Sequence, residues 1–325
     1  MESGAMKLLI LIAVTLIIAL ASLFIGSANI APVAAIKALF GHGEEAHVLI
    51  LQQLRLPRTL LGLAIGAGLG ASGAALQGYS RNPLADPGVL GFSACAALGA
   101  VAALYFGLRA YVPIFALIGA GLGAGVLVAL VGQRKRASVL ILAGVGLGAL
   151  ATAVTGLIMN FAPNPWALSE IVYWMMGSLR EAGPAALLYC LPLTALGLLA
   201  LFITAPDLRT LALGEDTAQS LGVSLPRLQI LLVIGVALCV GSGVAVAGAI
   251  GFVGLFIPHI LRALIGPDPA RLVPYSALAG AGFLVLADMA TRAISSNGAT
   301  LYLGILTSLI GVPFFLWLAT RKMSS

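Results

Sequence analysis

The chain has 325 residues, 61% of them apolar and only 9% charged, and it carries a net charge of +6. A soluble domain has roughly 25% charged side chains, so this composition excludes a water-covered globule. The basic residues lie scattered at the ends of apolar runs rather than on one face, which excludes a nucleic-acid surface. Cys95, Cys190 and Cys239 stand singly, without the spacing of a zinc site or a disulfide framework.

Taken in chain order, the apolar runs predict membrane spans at 8–28, 57–78, 89–107, 112–131, 138–160, 185–205, 228–249, 252–265, 273–292 and 301–319. A helix needs about 20 apolar residues to cross a bilayer, so the chain reads as an all-α polytopic membrane protein. It has about ten transmembrane helices in a single domain covering 1–325. The first run follows Lys7 and contains Ala19-Leu20-Ala21, which resembles a signal-peptide cleavage site. The run continues to Ile25 and more spans follow, so it is read as a retained helix. The eighth run is short for a full crossing. Glycines four residues apart (Gly62, Gly66 and Gly70; Gly119 and Gly123; Gly144 and Gly148) predict close helix packing.

With the N-terminus in the cytoplasm, 11 basic residues fall inside and 6 outside, and the densest cluster, Arg134-Lys135-Arg136, is inside. The excess of Lys and Arg on the cytoplasmic side puts both termini there. Leu56-Pro57-Arg58 opens one span and Leu225-Pro226-Arg227 another, and Leu63, Ile65, Gly66 and Leu69 recur as Leu232, Ile234, Gly235 and Leu238. The offset of 169 residues inverts the second copy, and inverted-topology repeats mark transporters that alternate access. The alternative is chance similarity between two Gly-rich helices.

A transporter needs an ion gradient or a nucleotide. Asp288 lies inside the ninth span, where a carboxylate can couple ions or simply bind a neighbouring helix; Glu170 and Asp86 fall in loops. A phosphate-binding loop needs Gly-Lys-Ser/Thr, and none of Lys7, Lys37, Lys135 and Lys322 follows a glycine. If ATP supplies the energy, a separate subunit hydrolyses it. The longest inward loop, about 206–227, interleaves Leu211, Leu213, Ala218 and Leu221 with Asp207, Arg209, Glu215, Asp216 and Gln219. That pattern predicts short amphipathic helices with turn points at Gly214 and Gly222. They either lie on the membrane interface or present apolar knobs to a partner. At the opposite end, Arg55, Arg58 and Arg292 depart from the positive-inside pattern. They suit either lipid headgroups or the carboxylates of a docking protein.

The stretch RLPRTLLGLAIGAGLGASGAALQGYSRNPLADPGVLGFS resembles the signature of the FecCD-type permeases, the membrane subunits of vitamin B12, haem and iron-siderophore ABC importers. The likeness continues through IVYWMMGSL, LGEDTAQSLGV, VAVAGAIGFVGLFIPHILR and GVPFFLWL, in family order over nearly the whole chain. It implies a type II ABC importer permease that is not itself an enzyme and binds no metal or cofactor. Its partners would be a second copy of the chain, two ATPase subunits holding ATP and Mg, and a periplasmic binding protein. It would sit in the bacterial inner membrane. By the resemblance, Arg55, Arg58 and Arg292 pair with glutamates of the binding protein. Leu213, Gly214, Glu215, Ala218, Leu221 and Gly222 form the coupling segment. Asn82 and Leu84 form one cytoplasmic gate, and Ala137 and Ser138 the other, with alanine where the family often has a hydroxyl. His259 belongs to the family motif and is expected to be structural. Ferric siderophores are the commonest cargo of such permeases; haem and cobalamin are the others. The rival class is a gradient-driven carrier coupled through Asp288.

Overall fold

The computed structural model describes residues 2–26, 28, 30–131, 137–295 and 300–323. The Arg134-Lys135-Arg136 cluster lies outside the described residues. Helices α1 (Glu2–Phe24), α2 (Pro32–Leu39) and α3 (Glu45–Leu49) lead through a π-helical stretch, Ile50–Arg55, into α4 (Leu56–Ser80). Then come α5 (Phe92–Tyr105), α6 (Val112–Val131), α7 (Ala137–Asn160), α8 (Pro165–Met175) and α9 (Pro184–Leu211). The chain closes with α10 (Glu215–Ser220), α11 (Leu225–Ala247), α12 (Val253–Ile265), α13 (Pro269–Ile294) and α14 (Leu303–Met323).

Seven stretches are long and apolar enough to cross a membrane, and α5, α12 and α14 supply shorter apolar helices at the remaining three expected positions. The sixth expected span is longer than the sequence indicated: α9 runs through Pro206 to Leu211, so the segment that leaves the helix is 212–224. The helices α2, α3 and α8 were not foreseen, because each is shorter than the runs that define a span.

α4 is the central helix, packed against α13, α9, α11 and α12. Lipid tails are as apolar as leucine, so helices associate here through close van der Waals contact rather than hydrophobic transfer. The α4–α13 seam shows how. A Cβ built on Gly66 would strike the carbonyl oxygen of Gly280, one built on Gly280 would strike that of Gly66, and one on Gly70 would strike that of Ser276. The seam exists only because those side chains are absent.

The contacts fix directions. Gly68 and Gly78 of α4 face Thr194 and Leu208 of α9, so these two run parallel. Gly197 and Gly235 face Cys239 and Leu201 across α9 and α11, so that pair is antiparallel. α4 and α11 therefore point in opposite directions. Each opens with Leu-Pro-Arg, runs to an unwound segment (81–91 and 248–252) and continues into a short helix, α5 or α12. This is the inverted repeat in structural form.

α5 and α12 have 14 and 13 residues, about 20 Å at 1.5 Å per residue, short of a hydrocarbon core of about 30 Å. Each starts part-way through the bundle because the unwound segment before it folds inward. The two segments meet: Pro87 lies against Gly254, and a small cavity between them is lined by Asp86, Gly88, Ile250, Gly251 and Phe252. Non-helical backbone is tolerated at this depth because protein, not lipid, surrounds it. Phe252 adopts φ +67°, unfavourable for a bulky residue, with its ring lodged over Gly311 of α14.

α1 lies outside this core with Leu9, Ile10, Ile17 and Leu20 exposed along it. It is fastened by one side chain and by its backbone: Thr15 Oγ1 donates to Leu278 O of α13, and Arg55 and Arg292 donate to Leu23 O, Ser22 O and Ile25 O at its end. At its start Lys7 Nζ donates to Leu264 O at the end of α12 (2.8 Å).

Candidate functional site

The sequence placed functional residues at both ends of the bundle, and the fold keeps them there. One end carries Arg55, Arg58 and Arg292; the other carries Asn82, Leu84 and 213–222. α1 begins and α14 ends at the Glu215 end, since Lys7 meets the close of α12 and Phe314 packs on Phe256 and His259.

At the arginine end the guanidinium groups converge on Asp288. Arg58 grips its carboxylate with two donors, Nε at 2.9 and 3.0 Å and Nη2 at 2.8 Å. Arg292, one turn on from Asp288 in α13, places Nε at 3.2 Å from the same group and donates Nη2 to Ser22 Oγ (2.6 Å). Arg55 is buried, with donors on Leu23 O (2.8 Å) and Ala28 O (2.5 Å). All three guanidinium groups are engaged within the chain. They tie α1, α4 and α13 together, and only the side chains of Arg58 (18% exposed) and Arg292 (10%) reach the surface. Asp288 is correspondingly clamped, not open to a coupling ion.

At the opposite end α10 is a single short helix between two glycines with positive φ, Gly214 (113°) and Gly222 (91°). Only glycine adopts such angles at low cost, and the two turns set α10 off from α9 and α11. Ala218 points inward and is fully buried, whereas Leu213 and Leu221 are 66% and 64% exposed. Both are large apolar side chains exposed outside the expected membrane spans.

The loop 81–91 is held in a fixed shape. Arg81 takes left-handed φ 51°, Asn82 Oδ1 accepts from Leu84 N (3.0 Å) and Asp86 Oδ1 accepts from Gly88 N (2.8 Å). Such side-chain turns around prolines stiffen a loop. Arg81 Nη2 lies 3.8 Å from Glu215 Oε1, so the loop and α10 are in electrostatic contact. Ala137 and Ser138 open α7, half-buried and exposed respectively; no hydrogen bond among the described residues joins them to Asn82 or Leu84.

The sequence reading missed Gln77. It is 2% exposed near the end of α4. Its Nε2 donates to Ala85 O (3.2 Å), Gly254 O (3.3 Å) and Leu255 O (3.2 Å), and its Oε1 accepts from Arg262 Nη2 (2.9 Å). One amide therefore joins α4, the loop 81–91 and both the start and the last turn of α12. The available signal was a lone amide inside an apolar run, GAALQG.

The pairing of Arg209 with Asp268 was also missed. Arg209 donates Nε to Asp268 Oδ1 (2.9 Å) and Nη2 to Oδ2 (2.5 Å), while Oδ1 also caps α13 through Ala270 N (3.0 Å). The hydrogen bonds from Arg209 hold the Asp268 carboxyl below its usual range. A depressed carboxylate pKa stabilises the fold above the unfolded value, near pH 4, and that contribution disappears as pH falls through the folded one. Asp268→Asn should therefore flatten the acid limb of a thermal-stability profile below about pH 4. Unchanged pH dependence in that variant would exclude the assignment.

Helices interrupted within the bundle, an inverted repeat and a short polar helix flanked by exposed leucines at one end are the features expected of a membrane permease. A family model described as the FecCD transport family matches residues 13–321, and the chain belongs to that family. It is 39% identical to the cobalamin import system permease protein BtuC of Halobacterium salinarum, over 86% of this chain and 75% of the relative. It is 36% identical to the hemin transport system permease protein HmuU of Yersinia pestis, over 94% of each. A solved structure described as an inward-facing conformation of what is assigned as a metal-chelate type ABC transporter superposes with a TM-score of 0.87 at 31% identity, covering 98% of this chain and 99% of that one. The chain is a permease of a metal-chelate type ABC importer.

Proposed function

We propose that two copies of this chain enclose a pathway that carries a ferric siderophore across the bacterial inner membrane into the cytoplasm, with haem or cobalamin as the alternative cargo. Two ABC ATPase subunits, binding ATP and Mg, seat on the Glu215 end, which faces the cytoplasm. The loaded periplasmic binding protein docks at the other end, its glutamates meeting the open edges of Arg58 and Arg292 while Arg55 fastens the rim from behind. ATP-driven closure of the ATPases moves α10, and the Arg81–Glu215 contact passes that movement to the gate loop at Asn82 and Leu84. Ala137 and Ser138 form the second gate.

The observation that carries this reading is α10. Leu213 and Leu221 stand exposed on either side of α10, whose inner side is locked by Ala218, an arrangement suited to apolar knobs entering a groove. Leu213→Asp with Leu221→Asp should release the ATPase from tagged, gently solubilised permease and abolish uptake, while the permease itself stays monodisperse. An ATPase that still co-purifies in equal amount would reject the coupling role.

A further inference from the structure

A cavity of about 750 Å³ opens at the arginine end, away from the Asp288 cluster. It lies between α8, the connection into α6, the start of α9, the end of α11 and the approach to α14. Its volume falls in the roughly 300–1,000 Å³ range of small-molecule sites. Five aromatic side chains line it: Trp174, Tyr189 and Tyr302 partly buried, Trp166 and Tyr173 exposed at its mouth. Tyr173 and Tyr302 stack nearly parallel, with centroids 6.1 Å apart.

The charges are arranged unevenly. Arg109 is neutralised by two carboxylates, Glu170 at 3.2 Å and Glu181 at 3.3 Å. Arg180 has no carboxylate within ion-pair distance among the described residues; its Nη1 donates only to Thr300 Oγ1 (2.9 Å), and its backbone N–H to Ser178 Oγ. The cavity thus offers aromatic faces and one uncompensated guanidinium fork. A flat conjugated surface gains on aromatic faces, and a carboxylate or phenolate gains a charge-assisted hydrogen bond from the guanidinium. Aliphatic chelates gain only the second.

We infer that this cavity is a receiving site for an anionic metal chelate with a conjugated ring system, held by Arg180 against Trp166, Trp174 and the tyrosines. The inference rests on the importer reading above and narrows its cargo to ferric catecholates or iron porphyrins, which share that chemistry.

The test uses the intact permease–ATPase complex in lipid nanodiscs with Trp317→Phe, and a matching complex that also carries Trp166→Phe and Trp174→Phe serves as the blank whose quenching is subtracted. Hemin, a ferric tricatecholate and ferric citrate are titrated separately. The expected result is saturable quenching by hemin or by the tricatecholate and none by citrate; which one saturates at lower concentration identifies the ring system. Arg180→Ala should weaken that binding about tenfold, the value of one charge-assisted hydrogen bond, and Arg180→Lys should recover most of it. Equal quenching in wild type and Arg180→Ala, non-saturating quenching from partition into lipid, or an emission change produced only by chelate-free binding protein would each overturn the site. Retained ATPase and chelate uptake alongside any of those outcomes would leave the importer reading standing and remove only this site.

Discussion

Gln77→Leu should cut uptake at least tenfold and lower stability by about 2–4 kcal/mol, because it strips partners from several buried polar groups at once. The wild-type amide has two hydrogens for three carbonyls, those of Ala85, Gly254 and Leu255, and its oxygen receives Arg262. Leucine fills nearly the same volume, so the loss comes from hydrogen bonding and not from a cavity. Arg262 Nη1 has no hydrogen-bond partner among the described residues, and removing the Gln77 oxygen takes the partner of Nη2 as well. Gln77→Glu separates the two halves of the role: it keeps an acceptor for Arg262 but turns a carboxylate toward three carbonyl oxygens. Thermal unfolding in nanodiscs reads the stability. The ratio of ATP hydrolysed to chelate imported reads the coupling. A Gln77→Leu complex with wild-type melting and wild-type coupling would mean that the hub carries neither.

The second large effect is expected at Asp288. Asp288→Asn preserves shape but leaves Arg58 and Arg292 side by side without their shared counter-charge, with Arg55 close behind. Removing one partner of a buried ion pair costs about 3–5 kcal/mol, since the remaining charges stay desolvated and unpaired. Asp288→Asn combined with Arg58→Met should recover part of that loss, because the second change removes one of the stranded charges. A gradient-driven carrier makes a different prediction: Asp288→Asn would melt normally, and uptake by the wild-type chain alone would collapse with uncouplers. The bidentate clamp from Arg58 favours the structural outcome.

The sequence contained much of this architecture, and the missing parts share a cause. Apolar runs located the spans because a bilayer imposes a length that can be counted. Gly214 and Gly222 were legible as turn points because backbone conformation is a local property. The half-length of α5 and α12 was only partly legible, since an unwound segment descends to meet Pro87 or Gly254 for reasons that lie on another helix. The arginines were read correctly as being together at one end but not as being engaged: Asp288 is 230 residues from Arg58, and nothing in spacing pairs them. Gln77 carried a weak signal, one polar residue among alanines and glycines, but its meaning depends on four partners drawn from three parts of the chain. The cavity at Trp174 draws on five segments and left no local mark.

The fastening of α1 has a consequence for how much its sequence can vary. The groups that receive Arg55 and Arg292 from it are chiefly carbonyl oxygens of Leu23, Ser22 and Ile25, atoms that every residue possesses. Its exposed face, Leu9, Ile10, Ile17 and Leu20, has only lipid to satisfy. Apart from Lys7, Thr15, the hydroxyl of Ser22 and inward-facing side chains such as Ile18 and Leu23, almost any apolar residue could occupy a position in α1 without loosening it. Mutational tolerance should therefore be widest along the outer face of α1, and narrowest in α4, where a single added methyl group at Gly66 has nowhere to go.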